Sequence, residues 1–385
     1  MKYIAFYDTD EYAHEQRSVA PSAANVVRYM ADVMSTFTSV QIISPSRTLK
    51  KSGIYKKRVH NITDMITLTQ PFSIGVRTPV GRVLIVLYTR LWLFFYLLFH
   101  TEKNETIVVY HSLSIIKVIE LIKKTKKIHL ISEIREIYTD FHGTSSGEQK
   151  KEWRYIETAD GYIFPTNLLN QRCNTKGKPY VIATGIYKPE ERIREKRNDG
   201  KKHVVYAGTL RKEKGGAEAA VAAATALSSD YHVHILGYGS EERVKEIQTS
   251  IQHMSKESAA TVTYDGLLRG EEFKAFLQSC HIGLSPQDPT GAFNDTSFPS
   301  KVLTYLANGL AVLSVRIPAV EQSPVGDYVH YYEIQEPKYI ADAIMRIDFA
   351  KEPDKAELLQ SLHAKLKDDL YRLIMDGKGG ETVEG

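Results

Sequence analysis

The sequence predicts an α/β protein made of two doubly wound, Rossmann-like domains facing across a cleft. Three observations carry this. Between residues 203 and 317, short β-rich apolar runs alternate with helical runs. The first half repeats the same alternation. A charge-dense, apolar-poor segment at 188–202 separates the two. Such alternation implies parallel sheets covered by helices on both faces, with ligands at the carboxyl ends of the strands. The 385 residues, 43% hydrophobic, suffice for two such cores and exclude a disordered chain or a disulfide-stapled miniprotein.

In the second half, HVVYAGTL at 203–210 reads as a strand and the Ala-rich 217–227 as a helix. Strand 232–236 runs into Gly-Tyr-Gly, followed by helix 241–253 and strand 261–268. Helix 271–280, buried strand 281–286 and helix 300–308 come next. Gly309 suits the position just past a helix end, and 310–317 is another buried strand. The domain is expected to span 203–337. In the first half, taken as 1–187, strands are expected at 3–7, 40–43, 107–110, 129–132, 162–165 and 180–183. Helices are expected at 22–37 and 114–124. Helical segments at 338–349 and 354–375 lie in a C-terminal stretch, 338–376, that could pack back on the first domain. Residues 377–385 read as a loose tail.

The net charge of +4 conceals a split. Residues 1–187 hold 25 Lys/Arg and 16 Asp/Glu, a balance of +9; the remainder holds 25 and 30, a balance of −5. Different partners for the two halves are expected. Cys173 and Cys280 form no metal spacing and no disulfide framework. The N-terminus turns acidic after one short apolar run, unlike a signal peptide, so a cytoplasmic location is expected. Residues 83–99 read VLIVLYTRLWLFFYLLF. A span needs about 20 apolar residues, and an arginine at a bilayer centre costs about 2.5–3.5 kcal/mol. Arg90 at mid-segment therefore argues against a transmembrane helix. Two readings remain, a buried helix first. The second is a helix in the membrane interface, with Arg77, Arg82 and Arg90 at head groups and Trp92, Phe94, Phe95 and Tyr96 inserted. The basic stretch 50–58, with Lys123, Lys124, Lys126 and Lys127, would suit an anionic membrane. It lacks the aromatic interleaving of a nucleic-acid binder.

Three motifs could carry chemistry. GTLRKEKGG at 208–216 joins a strand to a helix. Its glycines let backbone N–H groups approach an anion, and Arg211, Lys212 and Lys214 offer cations to a diphosphate. NDTSFPSK at 294–301 opens a helix, with Ser297 or Ser300 as cap, Lys301 close by, and Asn294 and Asp295 able to bind hydroxyls. In the first half His111, Glu133 and Glu136 fall at carboxyl strand ends, where acids orient hydroxyls or accept protons. Plain structural roles compete in every case: a solvated βα turn, a capped helix start, a satisfied core histidine.

These residues resemble the retaining group-1 (family 4) GT-B glycosyltransferases, and among them those of capsular and cell-surface polysaccharide synthesis. The pieces are YAGTL…KGG, HILGYG, TYDGLLRGEEFKAFLQSCHIGLSPQ and FNDTSFPSKVLTYLANGLAVLS; VVYHS, SEIREIYTD and ADGYIFPTNLL match more weakly. The resemblance implies a nucleotide-sugar donor on the C-terminal domain and a saccharide or lipid-linked saccharide acceptor on the N-terminal one. It implies a peripheral place on the inner membrane face, no cofactor beyond the nucleotide-sugar co-substrate, no metal and no nucleic acid. Gly208, Thr209, Arg211 and Lys214 would bind the donor diphosphate with Ser300 and Lys301, and Leu267 and Leu268 would seat the base. Glu133 falls near the reacting centre, with His111 beside it. Many relatives carry two glutamates separated by seven residues where this chain has Thr296 and Thr304. A hydroxyl still hydrogen-bonds the sugar and ribose but brings no charge. The implied reaction is front-face attack by an acceptor hydroxyl, whose proton goes to the leaving diphosphate while Lys214 and Lys301 stabilise its charge. A nucleotide-sugar epimerase on the same fold, or a non-catalytic partner of another transferase, are the alternatives.

Overall fold

The structure, a computed structural model, describes residues 1–141, 145–212, 215–287 and 297–377. The chain divides into two compact units: Met1–Ala183 with Lys365–Gly385, and Thr184–Ala364.

The strands of the first unit are β1 (Lys2–Ile4), β2 (Val40–Ile43), β3 (Ile54–Tyr55), β4 (Arg58–Thr63), β5 (Ile66–Gln70), β6 (Ser73–Ile74), β7 (Thr106–Tyr110), β8 (His129–Glu133), β9 (Gly161–Phe164) and β10 (Tyr180–Ile182). Its helices are α1 (Pro21–Ser35), α2 (Pro79–His100), α3 (Ile116–Lys126), α4 (Tyr138–Phe141), α5 (Ser146–Thr158) and α6 (Asn167–Cys173). Eight strands form one sheet in the order β10-β9-β8-β7-β1-β2-β5-β4. Every pairing in it is parallel except β4 with β5. Apolar runs such as Ile107–Val109 are buried on both faces, as parallel strands require. One core joins Ile4, Ile107, Leu130 and Phe164 to Ile119 of α3 and Leu93 and Leu97 of α2.

The second unit carries β11 (Lys202–Thr209), β12 (Tyr231–Tyr238), β13 (Thr261–Gly266), β14 (Ile282–Ser285), β15 (Ala311–Val315) and β16 (His330–Tyr332). Its helices are α7 (Gly216–Ala223), α8 (Glu241–Met254), α9 (Gly270–Ser279), α10 (Lys301–Ala307), α11 (Pro318–Glu321) and α12 (Pro337–Met345); α13 (Lys355–Tyr371) follows. Its six strands run β13-β12-β11-β14-β15-β16, all parallel. Two glycines allow backbones and rings to meet. A Cβ at Gly237, where φ is +153°, would lie 1.8 Å from the Gly208 carbonyl oxygen on the neighbouring strand. A Cβ at Gly283 would lie 2.2 Å from the Tyr305 ring, which packs α10 against β14.

Several expectations are corrected. The stretch read only as a basic run holds β3 and leads into the antiparallel pair β4–β5. Arg58 is not a solvated charge: it pairs with Glu15 and lies 3.3 Å over the Tyr12 ring. Lys123 pairs with Asp160 at 2.5 Å. The units divide at Ala183/Thr184, ahead of the expected boundary. Of the C-terminal stretch that could pack back on the first domain, residues 365–377 group with the first unit, where Tyr371 sits edge-on to Phe37 at 5.5 Å, while residues 338–364 group with the second.

The apolar segment departs most from its first reading. Helix α2 runs over 22 residues and is long and apolar enough to cross a membrane, yet only Ile85, Thr89, Leu93 and Leu97 are buried. The buried-helix expectation is overturned, because a second apolar row faces outward: Val80, Val83, Leu84, Leu87, Leu91, Phe95 and Phe99. Of the four aromatics named for insertion only Phe95 is exposed; Trp92, Phe94 and Tyr96 pack against the core.

Candidate active site

In each sheet one strand has its sequence neighbours on one side and a later strand on the other. At such a switch point the loops diverge and leave a crevice at the carboxyl ends. In the second unit the switch lies between β11 and β14. There the structure brings together two motifs far apart in sequence. Gly208 is the last residue but one of β11, and a Cβ built on it would stand 3.4 Å from Lys301 Nζ. The same ammonium lies 4.3 Å over the Tyr206 ring, whose hydroxyl donates to the Thr209 carbonyl oxygen at 3.0 Å. Tyr305 fixes the helix that carries Lys301. The Tyr305 hydroxyl accepts from the Ala207 amide at 2.8 Å and donates to the Leu284 carbonyl at 3.3 Å, bolting α10 to β11 and β14. Gly216 is equally constrained, since a Cβ there would meet Tyr206 and the Pro286 carbonyl at 2.8 Å. Backbone approach and one lysine thus converge at the switch point.

Beside it Thr209, Arg211, Lys212, Tyr238 and Gly239 line an open groove of about 520 Å³. Arg211 is exposed to it. Arg243, also in the wall, is engaged: its Nε donates to the Leu210 carbonyl at 2.9 Å, and it pairs with Glu218 and Glu246. Leu267 and Leu268 follow β13, two strands along the sheet, with Leu267 46% exposed. Ser300 takes helical backbone angles and makes no side-chain cap, correcting its expected capping role. Thr304 Oγ1 donates to the Ser300 carbonyl at 3.2 Å. Lys214, Asn294, Asp295 and Thr296 lie outside the described residues.

In the first unit the switch lies between β1 and β7. Glu133, at the end of β8, is wholly buried. Its Oε2 accepts from the Tyr3 hydroxyl at 2.5 Å, and its Oε1 from Arg135 Nε at 2.8 Å. Arg135 in turn donates to the Ala183 carbonyl. Glu133 is therefore an anchor that aims Arg135 rather than an acid open to a ligand. The Tyr3 phenol is pushed well up by burial and by the Glu133 charge. The next residue after β7, His111, donates its amide to the Glu133 carbonyl at 2.8 Å. Its ring is buried, stacked 5.5 Å from Tyr155, with Nε2 3.5 Å from Glu152 Oε1. Burial pushes its pKa down to about 4, so the ring is neutral at pH 7. Glu152 is occupied elsewhere: its two oxygens accept from the Tyr138 and Thr139 amides at 2.9 and 3.0 Å.

Among the described residues one histidine group has metal-ligand spacing, and sequence reasoning missed it because it spans two strands. Ring nitrogens of His203, His232 and His234 lie within 4.8 Å of one another. Carboxylates of Asp199 and Asp265 lie 3.0 Å from the outer nitrogens of His203 and His234, and the inner nitrogens, His203 Nδ1 and His234 Nε2, share a hydrogen bond at 2.8 Å. Arg197 Nη1 lies 3.2 Å from the first and 2.8 Å from the second. A guanidinium thus holds the point where a metal would bind, and the group reads as a tie for the segment ahead of β11.

Residues 201–347 match the family model described as glycosyl transferases group 1. No curated protein matches the sequence. The whole chain has the GT-B fold, as three solved structures show. The E. coli trehalose-6-phosphate structure bound with UDP-2-fluoro glucose superposes with TM-score 0.66 and 9% identity, over 95% of this chain and 96% of that one. An α,α-trehalose-phosphate synthase (UDP-forming) from Burkholderia xenovorans, in complex with glucose-6-phosphate, gives 0.64 and 11% over 97% and 100%. The sucrose-phosphate synthase of Thermosynechococcus elongatus gives 0.64 and 14% over 98% and 100%.

Proposed function

We propose that the protein is a retaining glycosyltransferase. It moves a sugar from a nucleotide-sugar donor to a saccharide acceptor carried on a lipid, in the assembly of a bacterial surface polysaccharide. The observation that carries the donor half is the meeting of Lys301 with the glycine end of β11 at the switch point. A diphosphate there would have a cation, close backbone approach and Arg211 beside it. The charge of the departing diphosphate is then stabilised where it develops. On the first unit, Arg135 is the group that Glu133 and Tyr3 position, and neutral His111 lies next to them. These serve as positioning residues for the reacting end of the substrates. The lipid-linked acceptor and peripheral membrane contact are supported by the outward apolar row of α2 and by the basic balance of residues 1–187.

The test is a thermal-shift screen of the purified protein against nucleotide sugars, followed by an assay of nucleoside diphosphate release with and without acceptor. Stabilisation by one nucleotide class and acceptor-dependent release are expected. Acceptor-independent conversion of the donor would establish the epimerase reading instead, and no stabilisation by any nucleotide would refute both.

A further inference from the structure

Beside α2 the first unit has a groove that the donor chemistry does not use. It measures about 310 Å³, and its wall brings together Arg90 of α2, Lys117 of α3, and Lys151 and Arg154 of α5, with Ser114 and Glu148. Four cations meet one carboxylate. Part of this charge is answered behind the wall, where Arg154 pairs with Glu120 at 3.1 Å. Lys117 and Lys151 are exposed. The groove therefore keeps a positive surplus suited to a phosphate.

Its setting narrows the ligand. The outward residues of α2 fall at 80, 83 and 84, 87, 91, 95 and 99, the spacing of one helix face, so they form one row along the helix. At 1.5 Å per residue the row extends for about 28 Å. An apolar row of this length is unusual on a monomeric soluble surface and marks an interaction face. Arg90 directly precedes Leu91 and follows Leu87 by three, so it stands on the flank of the row. The cationic groove and the apolar row share this border. A ligand that satisfies both surfaces has a phosphate joined to a long apolar chain.

We infer that this groove binds the phosphate of a lipid phosphate, with the outer row of α2 seated in the acyl boundary around it. The inference rests on the lipid-linked acceptor reading and adds the residues that hold the carrier. The expected division of labour is definite: the row provides affinity for any bilayer, and the groove provides preference for the phosphate.

The test is co-sedimentation of the full chain with phosphatidylcholine vesicles containing either a polyprenyl phosphate or the uncharged polyprenol. Parent protein is expected to prefer the phosphate vesicles. Lys117→Gln with Lys151→Gln should lower binding to them about 30-fold, at about 1 kcal/mol per lysine, while leaving polyprenol vesicles unaffected. Leu84→Ser, Leu87→Ser and Leu91→Ser together should lower binding to both. Equal binding of parent to the two vesicle types, or an unchanged preference in the lysine variant, would overturn the inference. So would binding of free inorganic phosphate without any vesicle preference. If the leucine variant instead turns a sedimenting dimer into a monomer and vesicles are not bound, the row is a self-association face and the inference fails. Nucleoside diphosphate titration of the same samples keeps the outcomes apart. No phosphate preference in the parent protein, with its nucleotide binding intact, refutes the groove alone; phosphate preference without any nucleotide binding refutes the transferase reading alone.

Discussion

Replacing Lys301 by Gln should weaken donor binding far more than it weakens the fold. The lysine is the first residue of α10, and its ammonium rests 4.3 Å over the Tyr206 ring. A cation–π contact at such a site contributes about 0.5–1 kcal/mol. For a unit of this size that corresponds to a melting shift of about 1–4 °C. A charge-assisted hydrogen bond to a phosphate contributes more, about 1.5–3 kcal/mol, or about 10- to 150-fold in the dissociation constant. Calorimetric titration with UDP, GDP and ADP, beside the matching nucleosides, measures this directly. Diphosphate affinity should fall by that factor while nucleoside affinity stays constant. Parent-like diphosphate affinity in the variant, or an equal loss for nucleosides, would refute the placement of the diphosphate.

Three further outcomes are expected. Gly237→Ala places a Cβ 1.8 Å from the Gly208 carbonyl in a backbone conformation with φ +153°, so the loss should exceed the ~1–3 kcal/mol of ordinary overpacking; a parent-like thermal melt would contradict this. The pKa of His111 is pushed down to about 4 by burial, against 6.5 when unfolded. Its contribution to stability is thus complete above pH 6.5 and is lost as pH falls toward 4, by about 2 kcal/mol at pH 5; His111→Asn should flatten that part of the denaturation profile, and equal slopes would refute it. Tyr3→Phe removes a donor from the wholly buried Glu133 carboxylate and should cost about 1–3 kcal/mol by denaturant titration, whereas a neutral effect would show that Glu133 does not need it.

Much of this architecture was legible from residue order. The alternation of apolar and helical runs marked the strands of the second sheet, because fully buried parallel strands leave an unbroken apolar signal. The glycine motif ending β11 and the helix opened by Lys301 were each visible alone. That they meet was not, since it depends on β14 inserting beside β11 rather than beside β13. The β4–β5 pair escaped notice because Arg58–Thr63 is a half-exposed edge strand carrying polar and charged side chains. Glu133 looked open to ligand because nothing in its local sequence announces Tyr3, which reaches it from the opposite end of the domain. Helix α2 was misjudged for a different reason. A segment apolar on nearly every side does not reveal which side is covered, and only its packing on Ile107, Ile115 and Ile119 distinguishes the inner row from the outer.

Sugar transfer from a nucleotide sugar with retention is the central claim, and product stereochemistry tests it most directly. Purified protein would be incubated with an α-linked nucleotide sugar that stabilises it and a lipid-linked saccharide acceptor. The anomeric configuration of the new bond would then be read by NMR. An α-linked product, formed together with free nucleoside diphosphate and only when acceptor is present, is expected. A β-linked product, or turnover of the donor without transfer, would contradict the account.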